Sequence, residues 1–60
     1  MMKVVYKNKS DVSLTQGKIY DVLGVEKGLY RIVDDTGEDY LFYPEEFDVV
    51  HEDKEERIAE

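Results

Sequence analysis

The chain has 60 residues, no cysteine and a formal net charge of −7 at pH 7. A chain of this length forms one small domain that buries only about 60% of the surface its unfolded form exposes, which disfavours a deep substrate cleft. Without cysteine, disulfides and thiolate zinc sites are excluded. No run of about 20 apolar residues is present to span a membrane, and residues 1–6 lack the apolar core of a signal peptide, so we expect a cytoplasmic protein with no membrane association.

Charge is distributed unevenly along the chain. Residues 1–20 carry a net charge of +3, whereas residues 21–50 carry −7 and residues 51–60 carry −3. Negative charge repels phosphate backbones, so nucleic acid is a disfavoured partner. The acidic part is a candidate contact for a basic partner, although a solvated acidic surface that promotes solubility explains the same pattern.

The pattern of apolar and turn residues predicts an all-β fold, a small five-stranded barrel at residues 1–50. Tyr20 and Val22 are expected to face its core, because Asp21 between them would be costly to bury unpaired. The expected strands are 3–6, 19–25, 29–33, 38–43 and 47–50, with a long polar loop at 7–16.

Three turns are expected between the later strands. Residues 26–28, Glu-Lys-Gly, predict a tight turn. Residues 34–37, Asp-Asp-Thr-Gly, predict a hairpin, because aspartates bond their own backbone and Gly37 tolerates a positive φ. Pro44 cannot donate to a ladder and presets its own φ, which predicts a short helical turn or bend.

Residues 51–60 are predicted to form a charged tail outside the barrel domain. Asp53 and Arg57 stand at an i,i+4 spacing, which favours a helix. Isolated helices shorter than about 12 residues are marginal in water. We therefore expect this helix to fray unless Ile58 docks on the domain.

The pair Gly17-Lys18 in the stretch SLTQGKIYDVL raises the question of a phosphate-binding loop. Such a loop needs G-x-x-x-x-G-K-[ST] between a strand and a helix, so that backbone N–H groups and a helix N-terminus converge on the anion. Gly17 has no earlier glycine at that spacing and no helix behind it. The pair is predicted to lead into the second strand, with Gly17 in a backbone conformation that other residues avoid.

Candidate catalytic and metal-binding residues are few. Carboxylates cluster around the hairpin turn at Asp34, Asp35, Glu38 and Asp39, but they lack the spacing of an EF-hand, and a solvated hairpin tip explains them. An exposed tip supplies neither the burial nor the repulsion that would raise a carboxylate pKa for acid–base catalysis. His51 has no serine, aspartate or second histidine at motif spacing. We therefore expect no catalytic residue, metal site or cofactor.

The segments LTQGKIYDVL, YRIVDDTGE and YPEEFDVV together resemble the small SH3-like barrel proteins of bacterial and bacteriophage genomes. The shared pattern is L-T-x-G-K-x-Y-x-V, a central Y-x-I strand, a D-D-x-G-E hairpin and a closing Y-P-x-x-F segment, and it covers residues 3–50. The resemblance implies an SH3-like barrel and a phage or prophage setting, and it carries over no catalytic residues. The A-L-Y-D-Y segment and paired tryptophans of eukaryotic-type SH3 domains are missing, which argues against recognition of proline-rich peptides.

The segment Tyr40-Leu41-Phe42-Tyr43 is the main candidate protein-binding site. Alternate residues of a strand face opposite sides, so if Tyr40/Phe42 or Leu41/Tyr43 fills the barrel, the other pair lies on the surface. The alternative is that the tail or the long loop, through Leu14, covers this face. An acidic rim would suit a basic protein partner. That rim consists of Glu38, Asp39, Glu45 and Glu46.

Three functional classes follow. The leading one is a non-enzymatic protein-interaction module that binds through the exposed aromatic side chains. The second is an acidic DNA mimic, of an anti-CRISPR or anti-restriction type, whose carboxylates at 34–48 and in the tail replace phosphates in a host enzyme. An exposed strand edge would also allow a homodimer. The third class is nucleic-acid binding, as in related SH3-like and KOW-type barrels, through Lys3, Lys7, Lys9 and Lys18.

Overall fold

The structure, a computed structural model, describes residues 2–52, which form one antiparallel five-stranded sheet. The predicted all-β architecture is confirmed. Within this range, one short 3-10 turn, Pro44–Glu46, stands where the bend at Pro44 was expected, and no helix is long and apolar enough to cross a membrane. The expected tail helix at 53–60 lies outside the described residues. The strands are β1 Lys3–Tyr6, β2 Ile19–Glu26, β3 Leu29–Val33, β4 Asp39–Phe42 and β5 Phe47–His51, in the spatial order β4-β3-β2-β1-β5.

Both predicted hairpin turns are confirmed, and their geometry follows from their residues. Lys27 and Gly28 have φ values of 54° and 79°, the two positive angles of a type I′ turn between β2 and β3. In the β3–β4 turn, Gly37 has a φ of 88°, and its N–H donates to the carbonyl of Asp34 at 3.0 Å. Each turn therefore sets the register of the strands that it joins.

Hydrogen bonds to backbone groups hold the long loop between β1 and β2 in place. The Oδ1 atom of Asp11 accepts hydrogen bonds from the N–H groups of Ser13 and Leu14, at 2.8 Å and 2.9 Å. Gly17 has a φ of 83°, as expected, and its N–H donates to the carbonyl of Tyr6 at 2.8 Å. The Gly17-Lys18 pair thus leads directly into β2, which confirms its structural interpretation.

A single apolar core lies on the inner face of the sheet. Tyr20 and Val22 are both buried, which confirms the expected orientation of β2. Leu14, from the long loop, is only 2% exposed and belongs to this core, so the loop does not use it to cover residues 40–43. The buried side chains are Val4, Tyr6, Leu14, Tyr20, Val22, Ile32 and Phe47.

Phe47, the first residue of β5, joins both ends of the sheet to this core. Its ring centroid lies 5.5 Å from that of Tyr6 in β1 and 6.5 Å from that of Tyr20 in β2. It also lies 6.1 Å from Tyr30 in β3 and 6.3 Å from Phe42 in β4, in tilted or edge-on arrangements that are attractive. The sheet is therefore coiled around one core, although within residues 2–52 no ladder joins β4 to β5.

A bulge in β2 bends the sheet. Val22 pairs with Ile32 and Gly24 pairs with Arg31, which leaves Leu23 as an extra residue in the ladder. A bulge of this kind increases the local twist and turns adjacent side chains to one face. Leu23 accordingly points away from the core and is exposed.

Candidate functional site

The segment that the sequence singles out, residues 40–43, lies at an open edge of the sheet, because β4 is the outermost strand. Tyr40, Leu41 and Tyr43 are 51%, 37% and 59% exposed, while Phe42 is half-buried and packs against the core. Neither of the two pairs fills the core as a whole, because Phe42 alone of these four side chains packs against it. Tyr40 shares a face with Phe42 and pairs with the buried Ile32, but its side chain stays exposed.

The predicted acidic rim surrounds these exposed side chains. The hydroxyl of Tyr40 donates to Oε1 of Glu38 at 2.9 Å, and this bond to a carboxylate raises the pKa of Tyr40. Glu45 and Glu46 lie in the 3-10 turn that follows β4. Within residues 2–52, no lysine or arginine forms an ion pair with these three glutamates. We call the exposed edge and its rim the β4 edge surface; it comprises Tyr40, Leu41, Tyr43, Glu38, Asp39, Glu45 and Glu46.

Asp39 is the one rim carboxylate with a cationic partner in this part of the chain. Arg31 of β3 donates from Nη1 to Oδ2 of Asp39 at 3.1 Å. The same guanidinium donates from Nε and Nη2 to the two carboxylate oxygens of Glu26, at 2.6 Å and 2.9 Å, which lowers the pKa of Glu26 and raises that of Arg31. The charge available to a partner on the β4 edge surface therefore comes from the three glutamates.

The β3–β4 turn is exposed at residues 35–38, as expected of a solvated tip, but its first residue is buried. Asp34 is 5% exposed, and its Oδ1 atom accepts hydrogen bonds from the hydroxyl and the N–H of Thr36, which lower its pKa. The long loop packs against the start of the turn, where the N–H of Asp35 donates to the carbonyl of Ser13 at 2.8 Å. Of the four clustered carboxylates, Asp34 is therefore buried, whereas Asp35, Glu38 and Asp39 belong to exposed residues.

Asp35 is the centre of a polar cluster that joins three parts of the fold. Its carboxylate accepts hydrogen bonds from Lys18 at 2.7 Å, from the hydroxyl of Thr15 at 2.6 Å and from that of Tyr20 at 3.0 Å. The bond to Lys18 is the main cause that lowers the pKa of Asp35. Such a carboxylate stays ionised at neutral pH and holds the long loop to the sheet instead of serving as a general acid. Among residues 2–52, no three histidine, aspartate or glutamate side chains form a group that could hold a metal ion.

Three of the four N-terminal lysines are engaged in ion pairs with aspartates. These contacts neutralise much of the basic strip that nucleic-acid binding would require. Two of these aspartates lie within residues 34–48, so their charge is less available to replace phosphate in a DNA mimic. The pairs are Lys3–Asp21, Lys7–Asp48 and Lys18–Asp35.

The outer face of β2 and β3 carries an apolar feature that sequence reasoning missed. Ile19, Leu23 and Val33 are exposed and line an open depression of about 260 Å³. Alternation along β2 turns Ile19 and Leu23 outward. Their proximity to Val33 depends on the bulge and on the β2–β3 register. Charged residues complete its edge: Lys18, Asp21, Asp34 and Asp35.

Comparison of the chain with protein-family models, with curated proteins and with solved structures found no match. The resemblance to SH3-like barrel proteins therefore stays a prediction from the sequence.

Proposed function

We propose that this protein is a non-enzymatic interaction module whose β4 edge surface binds a protein with a basic surface. The observation that supports this most is the exposure of Tyr40, Leu41 and Tyr43 on an edge strand, beside glutamates that have no cationic partner within residues 2–52. An apolar and aromatic centre with a polar rim is the usual anatomy of a protein interface. In the bacterial or bacteriophage setting that the resemblance implies, the partner is a host protein.

The two parts of this surface would contribute differently to binding. Desolvation of Leu41 and Tyr43 supplies affinity, because removal of apolar area from water is favourable and nearly independent of salt. The glutamates attract and orient a cationic partner before contact, and salt screens this attraction. Moderate salt should therefore slow association more than it accelerates dissociation.

The test is capture of a partner from bacterial lysate by the tagged protein. Leu41→Ala and Tyr43→Ala should each reduce capture about ten-fold or more, as truncation of a central interface residue does. Val49→Ala is the matched control, since Val49 is an equally exposed apolar residue at the opposite edge of the sheet. Loss of capture with Val49→Ala and not with the two β4 variants would show that another surface binds.

Glu38, Glu45 and Glu46, which have no cationic partner among residues 2–52, also support a second candidate, the acidic DNA mimic. Its partner would be a nucleic-acid enzyme, and the triple variant Glu38→Gln, Glu45→Gln and Glu46→Gln should abolish its capture. Under the leading proposal the same variant weakens the salt dependence and retains the partner, because the apolar contact remains. A captured nuclease that is lost with the triple variant but kept with Tyr43→Ala would establish the DNA mimic instead.

A further inference from the structure

The backbone of β4 has one side bonded to β3. The first ladder bond of this hairpin runs from the N–H of Asp34 to the carbonyl of Glu38, at 2.9 Å. Bonded and non-bonded residues alternate along an antiparallel ladder. Counting from Glu38 in the observed register, Tyr40 and Phe42 direct their backbone groups towards β3.

The same alternation turns the backbone groups of the intervening residues away from the sheet. Asp39 and Leu41 therefore direct their N–H and C=O groups outwards, at a strand with no neighbour on that side among the described strands. Such a row of unpaired donors and acceptors is a template for an additional strand. The exposed side chain of Leu41 lies in the middle of this row.

The opposite edge of the sheet is less suited to strand addition. In the β1–β5 ladder, Val4 pairs with Val49 while Lys3 pairs with His51, so the register shifts and Val50 is an extra residue. A bulge interrupts the regular spacing of edge donors and acceptors, and this protects an edge from pairing. The β3–β4 ladder shows no such shift over its four pairs.

Charge indicates which kind of strand this edge accepts. Glu38 precedes β4, and Glu45 and Glu46 follow it, so negative charge brackets an apolar centre at Leu41. A second copy paired antiparallel would bring Glu38 of one chain towards the 3-10 turn of the other. Like charges across a ladder are destabilising, and each copy carries a net charge of −7. The complementary strand is apolar at its centre and basic at both ends.

From this geometry we infer that the partner binds by adding a basic, extended segment to the β4 edge as a sixth strand. The inference rests on the proposed function and specifies its binding mode. The backbone of the added segment bonds to Asp39 and Leu41, an apolar side chain packs on Leu41, and lysines or arginines face Glu38 and the 3-10 turn. A host protein with an extended basic terminus or loop fits this description.

The experiment uses a short synthetic peptide with paired lysines at each end and Val-Thr-Val at its centre. Amide hydrogen exchange of the full chain is followed by NMR with and without the peptide. We expect exchange at Asp39 and Leu41 to slow about ten-fold or more on saturation, while Tyr40 and Phe42 are already protected by β3. An analogue with glutamate in place of lysine should not bind.

Backbone pairing is tested separately by two N-methylated forms of this peptide. One form is methylated at the odd-numbered residues of the peptide and the other at the even-numbered residues. One set faces β4 and the other faces solvent, so one form should lose binding and the other should retain it. Leu41→Pro, which removes an outward N–H, should bind the peptide about ten-fold more weakly than Leu41→Ala. Equal binding of both methylated forms, unchanged exchange at Asp39 and Leu41, or no binding of the peptide would overturn strand addition.

These outcomes are distinct from failure of the proposed function. If Leu41→Ala and Tyr43→Ala reduce lysate capture but the peptide experiment fails, the partner uses side chains alone and only strand addition is wrong. If neither variant reduces capture of the partner, the proposed function is wrong, whether or not the peptide binds. Protection of Asp39 and Leu41 in the protein alone, together with the sedimentation coefficient of a dimer, would show that a second copy occupies the edge and would also overturn the inference.

Discussion

Leu14 is a loop residue with the burial of a core residue. It is 2% exposed, whereas Val12, two residues earlier in the same loop, is 85% exposed. The loop therefore inserts one side chain into the core and contributes to the stability of the sheet. A domain of this size has a free energy of unfolding of only about 3–9 kcal/mol.

Truncation of Leu14 should accordingly cost much of that stability. Leu14→Ala is expected to lower the free energy of unfolding by about 2–5 kcal/mol, through lost apolar burial and the cavity left behind. Val12→Ala is the matched control and should change it by less than about 0.5 kcal/mol. Urea unfolding followed by circular dichroism measures both, and equal effects would contradict the assignment of Leu14 to the core.

Asp35 gives the domain a defined acid sensitivity. Its hydrogen bonds hold its pKa below the ordinary 3.8, and the pKa of Asp34 is lowered in the same direction. A carboxyl whose pKa is lower in the folded state stabilises the fold above its unfolded pKa, and this contribution is lost as the pH falls through the folded pKa. The urea midpoint should therefore decline as the pH falls below about 4.

The variant Asp35→Asn tests this sign. It should show a lower urea midpoint at pH 7 and a shallower decline towards acid pH, because the titrating anchor is gone. Asp48→Asn is the control, since it removes an exposed ion pair with Lys7 at 3.4 Å and should leave the midpoint at pH 7 nearly unchanged. An Asp35→Asn protein with the wild-type midpoint and acid decline would refute the role of this cluster.

The β2–β3 hairpin contains a residue that is poorly matched to its turn. Lys27 has a φ of 54°, a region that asparagine adopts more readily than lysine, and it precedes Gly28 in a type I′ turn. Lys27→Asn should raise the free energy of unfolding by about 0.5 kcal/mol. Lys27→Ala makes the same change of charge without the conformational benefit and should not raise it. Urea unfolding of the two variants at one ionic strength separates turn conformation from charge.

Strands and turns were largely predictable because both depend on neighbouring residues. β1 and β3 have the expected bounds, both hairpin turns lie where they were expected, and Gly37 has the expected positive φ. β4 is shorter than the predicted 38–43, because Glu38 still belongs to the hairpin turn and Tyr43 leads into the 3-10 turn. The bulge at Leu23 could not be predicted, since it depends on how β2 is registered against two different strands.

The whole molecule carries enough charge to oppose its own association. With a net charge of −7 and an acidic open edge, we expect a monomer at neutral pH and low salt. Near the isoelectric pH of about 4.5 the net charge of the chain approaches zero, and β4 edges should associate. Sedimentation velocity at the two pH values measures this.

Two matched variants show which edge of the sheet mediates self-association at the isoelectric pH. Leu41→Lys should suppress it, because a lysine in the middle of the open strand resists pairing. Val49→Lys makes the same change of charge at the opposite edge and should have a smaller effect. A dimer at neutral pH, or equal effects of the two substitutions, would contradict the role given to β4.

The all-β fold, the turns and the position of residues 40–43 as the apolar part of an acidic region follow from the order of residues alone. Alternation and turn preferences act over a few residues, so they can be deduced from adjacent positions. Three features depend instead on the folded arrangement: Phe42 alone of that segment reaches the core, Asp34 is buried, and Asp35 anchors the long loop. The burial of a side chain and its ion pairs depend on which distant segments of the chain come into contact. Those contacts form only when the whole sheet is assembled around Phe47.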